Sequence, residues 1–181
     1  MKSINWKHYK KIDSTQNEIW RLIESKEITN NTVISADIQT NGRGTHGRIW
    51  HTDEKNNIAF SIYVETNCNI EKLNGITIEI ANNIVDIFNM DYGIKLDIKK
   101  PNDLIINNKK VGGILTESKM ISENVKFLVI GIGINTNQIS FNEDIQDIAT
   151  SIRKEFNIEI NANEFVEKFC NKFDETIKRR I

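Results

Sequence analysis

Residues 103–134 read DLIINNKKVGGILTESKMISENVKFLVIGIGI, and this stretch decides the fold. Its apolar runs are short, rich in Ile and Val, and separated by polar turns such as Asn107-Asn108. Short apolar runs bounded by turn residues predict strands joined by hairpins. Strands that follow one another through hairpins pair antiparallel, so the stretch predicts a meander in a largely antiparallel sheet.

Three other segments carry apolar residues at three- and four-residue steps, which is typical of amphipathic helices. The first covers about residues 15–25 and can be capped by Asp13-Ser14-Thr15, with Thr15 and Glu18 spaced like a capping box. The second is a long central helix through Leu73, Ile76, Ile80, Ala81, Ile84 and Phe88, and the last follows Phe165, Phe169, Phe173 and Ile177. The aromatic stripe of the last helix is expected to lie in the core rather than to bind a ligand.

Further strands are predicted by β-branched or alternating apolar residues in four segments: up to Ile12, and over residues 32–37, 57–64 and 94–98. Together these elements predict an α+β fold with a mixed, mainly antiparallel sheet and helices packed on one face. The chain of 181 residues contains no internal repeat, low-complexity run or linker. We therefore expect one domain over residues 1–181.

Charge and hydropathy exclude several classes of protein. The chain carries 24 Lys and Arg against 25 Asp and Glu, so its formal charge of −1 gives no overall attraction to nucleic acid or to anionic membranes. Its first residues contain no apolar signal-peptide core, and no window reaches the roughly 18 apolar residues of a membrane span. These features predict a cytoplasmic protein. Cys68 and Cys170 match no metal-ligand spacing and are expected to be reduced thiols.

The densest glycine signal lies in residues 39–50, QTNGRGTHGRIW. Three glycines between residues 42 and 47 let a backbone fold closely round a ligand. Arg43, His46 and Arg48 supply donors that can hold carboxylate or phosphate oxygens. The pattern indicates a loop that closes on an anion, although a lone Gly-Arg-Gly also occurs in ordinary surface loops.

Three further clusters place polar residues, proline or glycine beside strands. Residues 99–103, KKPND, form a proline-fixed corner. Lys110 opens an apolar strand whose Gly112 and Gly113 leave room for a ligand against the sheet, although such a lysine can also simply flank a hairpin. In residues 129–135, VIGIGIN, glycines alternate, so one face of the strand lacks side chains. Something flat, or another backbone, is expected to lie on that face.

The order and spacing of these clusters resemble the catalytic domain of biotin protein ligases. The resemblance begins at Asp13-Ser14-Thr15-Gln16, passes through the Gly-Arg-Gly loop and the Lys-x-Pro-Asn-Asp and Lys-Val-Gly-Gly-Ile-Leu segments, and ends near Ala149-Thr150-Ser151-Ile152. It covers about residues 8–155. The resemblance implies the biotin and lipoate ligase fold, similar to class II synthetases, and an enzyme that uses ATP, biotin and Mg²⁺. Such an enzyme forms biotinyl-5′-AMP and then transfers biotin to a lysine of a biotin carboxyl carrier protein.

The resemblance also implies roles for individual residues. The residues implied to bind biotin are Ser14, Thr15, Gln16, Gln39, Arg43, Gly44, Thr45, Trp50, Lys110 and Gly113. Those implied to line the nucleotide are Gly42, Arg48, Asn102, Asp103 and Asn135. Lys110 is implied to be catalytic by touching the biotin carboxylate and the phosphate, with Arg43 and Mg²⁺ sharing the work. No metal site made by the protein alone is expected.

Several departures from the family pattern bear on these expectations. Lys100 stands where the family usually has tryptophan, and Thr45 and His46 stand where many relatives have further arginines. Fewer arginines weaken the positive potential of the loop. The chain ends at Ile181 without room for the C-terminal β-barrel of most relatives, which is expected to affect ATP affinity. No helix-turn-helix precedes the catalytic part, so a repressor role is not expected.

Two other functions and one assembly stay open at this point. A lipoate or octanoyl ligase or transferase shares the fold and a central lysine, but the loop at residues 39–50 and the Pro-Asn-Asp corner argue against it. A non-catalytic biotin-binding module would not need the cations of Lys110 and Arg43. An exposed sheet edge can also pair two copies, which leaves a homodimer open.

Overall fold

The structure is a computed structural model that describes residues 4–52 and 57–177. Residues 1–3, 53–56 and 178–181 lie outside the described residues, and they include both ends of the predicted domain and part of the polar loop before residue 57. Among the described residues, no helix is long and apolar enough to cross a membrane.

The described residues form eight strands and four α-helices. The strands are β1 (Asn5–Ile12), β2 (Thr32–Arg43), β3 (Ile49–Thr52), β4 (Ile58–Asn69), β5 (Asp97–Lys99), β6 (Asp103–Ile106), β7 (Lys109–Ile121) and β8 (Asn124–Ile134). The helices are α1 (Thr15–Glu24), α2 (Ile76–Tyr92), α3 (Ile152–Phe156) and α4 (Ala162–Thr176). Each predicted helix and strand has a counterpart, and most of the strands are longer than predicted. The strand predicted over residues 94–98 is present only as Asp97–Lys99, and the central helix begins at Ile76, after Leu73.

One mixed sheet organises the molecule. Its strands lie in the order β1-β2-β4-β8-β7-β6-β5, with β3 paired to β2 beside this path. Strands β1 and β2 pair parallel, and the other neighbouring strands pair antiparallel. The hairpin between β6 and β7 turns at Asn107 and Asn108, whose φ angles of 49° and 63° suit a two-residue turn. The predicted antiparallel meander is therefore confirmed.

The two faces of the sheet carry different helices because successive strand residues point to opposite sides. On one face, α2 and α4 cover the main core, and Phe165, Phe169 and Phe173 of the predicted aromatic stripe are fully buried there. On the other face, Ile19 and Leu22 of α1 pack with Ile34, Tyr63 and Val129. The predicted packing of helices on one face thus holds for α2 and α4, whereas α1 lies on the opposite face, beside the site described below.

Local details differ from the sequence patterns in two places. Strand β3 lies inside the segment expected to be an irregular loop, where it extends the sheet alongside β2. Helix α1 is capped by Ser14, whose hydroxyl accepts from the Asn17 backbone N–H at 3.4 Å. The expected Thr15 to Glu18 capping box is wrong because Thr15 bonds Gln39 and Glu18 accepts from Tyr9. Cys68 and Cys170 are free thiols in the core, as predicted.

Candidate active site

A buried polar wall forms where α1 begins. The backbone N–H of Thr15, one of the donors that a helix start leaves without an intrahelical partner, donates to Gln39 Oε1 at 2.8 Å. Gln39 Nε2 in turn donates to Thr52 Oγ1 on β3 at 3.3 Å. Ser14 is fully buried, and Thr15 and Gln39 are 4% and 8% exposed. Three predicted site residues from two elements therefore meet at one wall.

Ser61 on β4 completes this wall, although the sequence patterns gave it no role. Its hydroxyl lies 2.9 Å from Thr15 Oγ1 and donates to Gln16 Oε1 at 2.9 Å. Ser61 is fully buried. A signal was available, because Ser61 is the polar residue within the apolar run 58–64, IAFSIYV. A buried hydroxyl that keeps its partners supports a rigid polar network.

The alternating glycines of β8 make room for two side chains of the site. A Cβ at Gly131 would lie 2.7 Å from Gln16 Oε1. A Cβ at Gly133 would lie 2.4 Å from Trp50 Cε2 and 2.6 Å from Trp50 Nε1. The flat object expected on this glycine face is therefore the Trp50 indole. Among the described residues, no acceptor reaches the buried Nε1 of that indole.

Lys110 stands at the other end of the same cavity. Its backbone is held between β6 and the segment after residue 147, because Lys110 N donates to Ile148 O at 2.8 Å and Thr150 N donates to Lys110 O at 2.9 Å. Its ammonium lies 2.6 Å from Asp103 Oδ1 and 5.8 Å from the centre of the Trp50 ring. A Cβ at Gly113 would lie 3.4 Å from Lys110 Nζ, so the ammonium lies over this part of the strand.

The glycine-rich loop joins β2 to β3 at the edge of this cavity. Gly42 is required because a Cβ there would lie 2.3 Å from the Trp50 carbonyl oxygen. His46 and Gly47 turn the chain with φ angles of 57° and 74°. The Arg43 guanidinium does not reach toward an open anion site. It is paired with Glu117 on β7, with 2.5 Å between Nη2 and Oε1.

All ten residues implied to bind biotin line one open cavity of about 450 Å³. The predicted residues that line it are Ser14, Thr15, Gln16, Gln39, Arg43, Gly44, Thr45, Trp50, Asn102, Lys110 and Gly113. Asn102 thus lies with the residues implied to bind biotin, although it was assigned to the nucleotide.

A second cavity of about 700 Å³ adjoins the first and shares Lys110 and Trp50 with it. Arg48 and Asn135, both assigned to the nucleotide, line this second cavity. The side-chain amide of Asn135 is fixed by donating to Thr150 O at 3.1 Å. Apolar walls come from residues without a predicted role, namely Ile49, Ile145, Ile148 and Ala149. Ile49 and Ile148 are 57% and 65% exposed, which is unusual for isoleucine.

The two cavities differ in the chemistry of their walls. A polar wall with fixed donors and acceptors stands at one end of the first cavity, and an ammonium stands at the other, next to a larger and more apolar cavity. Such a site suits a small ligand with a polar head and an anionic tail.

Comparison with known proteins identifies the family. Residues 9–135 match the Biotin/lipoate A/B protein ligase family, and the chain belongs to it. The chain is 41% identical over 133 residues to the bifunctional ligase/repressor BirA of Bacillus spizizenii, covering 70% of this chain and 41% of that protein. It is 30% identical over 125 residues to the biotin-[acetyl-CoA-carboxylase] ligase of Paracoccus denitrificans, covering 68% of this chain and 51% of that protein.

A solved structure of this family has the same fold. The biotin protein ligase of Aquifex aeolicus in complex with biotin and ATP superposes with a TM-score of 0.79 at 29% sequence identity, over 97% of this chain and 71% of that chain. The present chain spans two fifths to one half of the length of the two relatives named above, 41% and 51%. The α+β fold predicted from the sequence is confirmed.

Proposed function

We propose that this chain is the catalytic part of an ATP-dependent biotin protein ligase. The observation that carries the proposal is the single cavity that has Thr15 and Gln39 at one end and Lys110 at the other. A ureido ring presents two N–H donors and one carbonyl acceptor, and a wall of hydroxyl and amide groups offers partners for both. A site built to hydrogen-bond such a ring rejects analogues without it, by about 10⁴–10⁵ where measured.

The first step joins biotin to AMP. A carboxylate oxygen of biotin attacks the α-phosphorus of ATP, an acyl-phosphate bond forms, and pyrophosphate leaves. The reaction brings anions together, so it needs fixed positive charge. Lys110 supplies that charge where the two cavities meet, and it must exchange Asp103 for the incoming oxygens. Arg43 can share this work only after its guanidinium leaves Glu117.

The second cavity receives the adenylate. Exposed Ile49 and Ile148 offer apolar surfaces for the adenine, and Arg48 offers donors to phosphate. Asn135, already fixed by Thr150, lies at the same cavity. Gly42 packs against the Trp50 carbonyl oxygen, and the Asp103 carboxylate contacts the Lys110 ammonium. Both residues therefore lie at the edge of the site. The loop at residues 42–48 covers the anhydride and keeps water from it until transfer.

Magnesium accompanies ATP in this proposal and neutralises phosphate charge when bound. Among the described residues, no cluster of three or more His, Cys, Asp or Glu could hold a metal ion. Mg²⁺ commonly binds through one or two carboxylates together with substrate phosphates and water. Asp103 would be the carboxylate that takes that part, since it lies 2.6 Å from the Lys110 ammonium, which would face the phosphate.

Transfer completes the reaction. A neutral carrier lysine attacks the activated carbonyl carbon, the amide bond forms, and AMP leaves with the bonding electron pair while the lysine loses a proton. No nucleophile of this chain is required, and positioning alone supplies much of the rate. The proposed partner is a biotin carboxyl carrier protein, and the proposed location is the cytoplasm. A homodimer through a sheet edge stays a prediction.

Biotin-dependent exchange of pyrophosphate into ATP tests the proposal. Lys110→Ala is expected to slow the exchange about 10²–10³-fold, because removing one preorganised donor usually has that effect. Lys109→Ala is the matched control, since it removes the neighbouring lysine outside the cavity, and it should leave the exchange unchanged. A folded wild-type chain that binds biotin without any exchange would favour the non-catalytic binding module. Exchange driven by lipoate or octanoate instead of biotin would favour the related ligases.

A further inference from the structure

Glu117 on β7 contacts three side chains, two of which line the first cavity, although the sequence patterns assigned it no role. Its Oε2 accepts from Gln16 Nε2 at 2.9 Å and from Trp20 Nε1 at 2.8 Å, both on α1. Arg43, at the start of the glycine-rich loop, donates to both oxygens at 2.5 and 3.1 Å. The Glu117 side chain is 24% exposed. Four donor groups on one partly buried carboxylate tie the loop, the helix and the sheet together.

This carboxylate and the Val129 carbonyl together orient the Gln16 amide. An ionised carboxylate only accepts hydrogen bonds, so the Gln16 NH₂ group must face Glu117. The same NH₂ group also donates to Val129 O at 3.2 Å. Gln16 Oε1 is therefore turned toward Ser61, whose hydroxyl donates to it at 2.9 Å.

The orientation of Gln16 also fixes which groups donate in the neighbouring hydrogen bonds of the polar wall. The single hydrogen of the Ser61 hydroxyl is committed to Gln16, so Ser61 can only accept from Thr15 Oγ1, at 2.9 Å. The Thr15 hydrogen is shared between Ser61 and Gln39 Oε1, which lies at 3.1 Å. The lone pairs of Thr15 Oγ1 are left to accept from an N–H of the ligand ring. A neutral group in place of the carboxylate would leave the Val129 carbonyl to hold the Gln16 NH₂ group. A Gln16 amide that then turns over would free the Ser61 hydrogen to turn to Thr15 Oγ1 and occupy one of its lone pairs.

We propose that Glu117 is a positioning residue that makes Thr15 an acceptor for the ligand ring and anchors the glycine-rich loop through Arg43. Burial alone would disfavour the charged carboxylate, but hydrogen bonds from Gln16, Trp20 and Arg43 outweigh burial and lower the pKa of Glu117. The carboxylate is therefore ionised at neutral pH. The assignment of the ring to biotin rests on the proposed function, whereas the orientation of Gln16 does not.

Glu117→Gln tests the proposal because it keeps the shape and removes the charge. The affinity for biotin, measured by calorimetry without ATP, should fall about ten- to a hundredfold, the usual effect of losing a hydrogen bond to a charged group. In pyrophosphate exchange, KM for biotin should rise by a larger factor than kcat changes, because the variant loses binding while it frees Arg43 from Glu117. Glu65→Gln, an exposed carboxylate on β4, is the control and should change neither. Wild-type affinity in Glu117→Gln, or a fall in kcat alone, would overturn the proposal.

A measurement without biotin separates this proposal from the proposed function. The chain has three tryptophans, so a ¹⁵N spectrum contains three indole N–H signals. The Trp20 signal should move in Glu117→Gln, while that of Trp6, which donates to Ser35 at 2.7 Å, should stay. An unmoved Trp20 signal would overturn the proposed positioning role of Glu117, even if the chain is a biotin ligase. A moved Trp20 signal in a chain without biotin-dependent exchange supports the anchor and rejects the proposed function.

Glu117→Asp keeps the negative charge on a shorter side chain. It provides a second variant in case Glu117→Gln fails to fold. It should retain more biotin affinity than Glu117→Gln, because an ionised acceptor still orients the Gln16 amide. Equal losses in the two folded variants would mean that the charge does not matter, and the proposal would be wrong.

Discussion

The indole of Trp50 lies against the bare backbone of Gly133, so close that a Cβ on the glycine would come within 2.4 Å of the ring. Trp50 belongs to β3 and Gly133 to the centre of β8, and no acceptor among the described residues reaches the buried indole N–H. An unpaired buried donor costs free energy. The cavity thus holds a ring that a bound ligand can engage or displace.

The first prediction follows from this contact. Gly133→Ala should destabilise the fold by about 1–3 kcal/mol, because overpacking a buried site forces side chains to shift. Trp50→Ala removes the ring, so the double variant should be less destabilised than the sum of the two single variants. Urea unfolding of the four proteins measures this coupling. Additive losses would show that the two residues do not interact.

A second prediction concerns Gly131, the neighbouring glycine on the same face. A Cβ there would lie 2.7 Å from Gln16 Oε1, which is the far end of a flexible side chain. Gly131→Ala should therefore destabilise the fold less than Gly133→Ala, yet weaken ligand binding by turning the Gln16 amide. Urea unfolding and biotin calorimetry on the same samples test both halves. Greater destabilisation by Gly131→Ala would contradict the prediction.

A third prediction concerns the ion pair at the start of α1. Both Nη atoms of Arg21 donate to Asp13, at 2.7 and 3.0 Å, and this contact lowers the pKa of Asp13 below its ordinary value. The stability from Asp13 is therefore present above the unfolded pKa of about 3.9 and is lost as pH falls below it. Asp13→Asn should lower stability at pH 7 by about 1 kcal/mol or less, since the pair is partly exposed. Its stability should also fall less steeply than that of the wild type below pH 4.

The control for this experiment is Asp144→Asn, which changes an exposed carboxylate. The stability of this variant should fall below pH 4 as steeply as that of the wild type. Denaturant midpoints between pH 2 and pH 7 provide the measurement. If Asp13→Asn loses stability with acid as steeply as the wild type, the ion pair is not what the acid disrupts.

A fourth prediction concerns the thiols. Cys170 is fully buried in α4, and burial raises its pKa to about 12. Cys68 on β4 is 7% exposed. Because the thiolate is the reactive form, a thiol-reactive disulfide reagent should label neither cysteine in the native protein and both in denaturant. Rapid native labelling would mean that the core around α4 opens readily.

The sequence by itself determined the elements of this protein and the segments that meet at its site. Hairpin turns, alternating apolar residues and three- to four-residue steps are local patterns, and local backbone preference and burial produce them. The Gly-Arg-Gly loop, Lys110 and the Ser14-Thr15 cap could be found in the same way. The predicted biotin-binding residues do lie round one cavity.

Only the tertiary structure decided what those residues touch. Arg43 pairs with Glu117, 74 positions further along the chain, and no local pattern in the sequence specifies that contact. The glycines of β8 were visible in the sequence, but their purpose depends on Gln16 and Trp50, which reach them from distant strands and helices. The placement of α1 on its own face follows from which residues of β2, β4 and β8 point toward it. Contacts of this kind depend on packing between elements, and sequence periodicity describes each element alone.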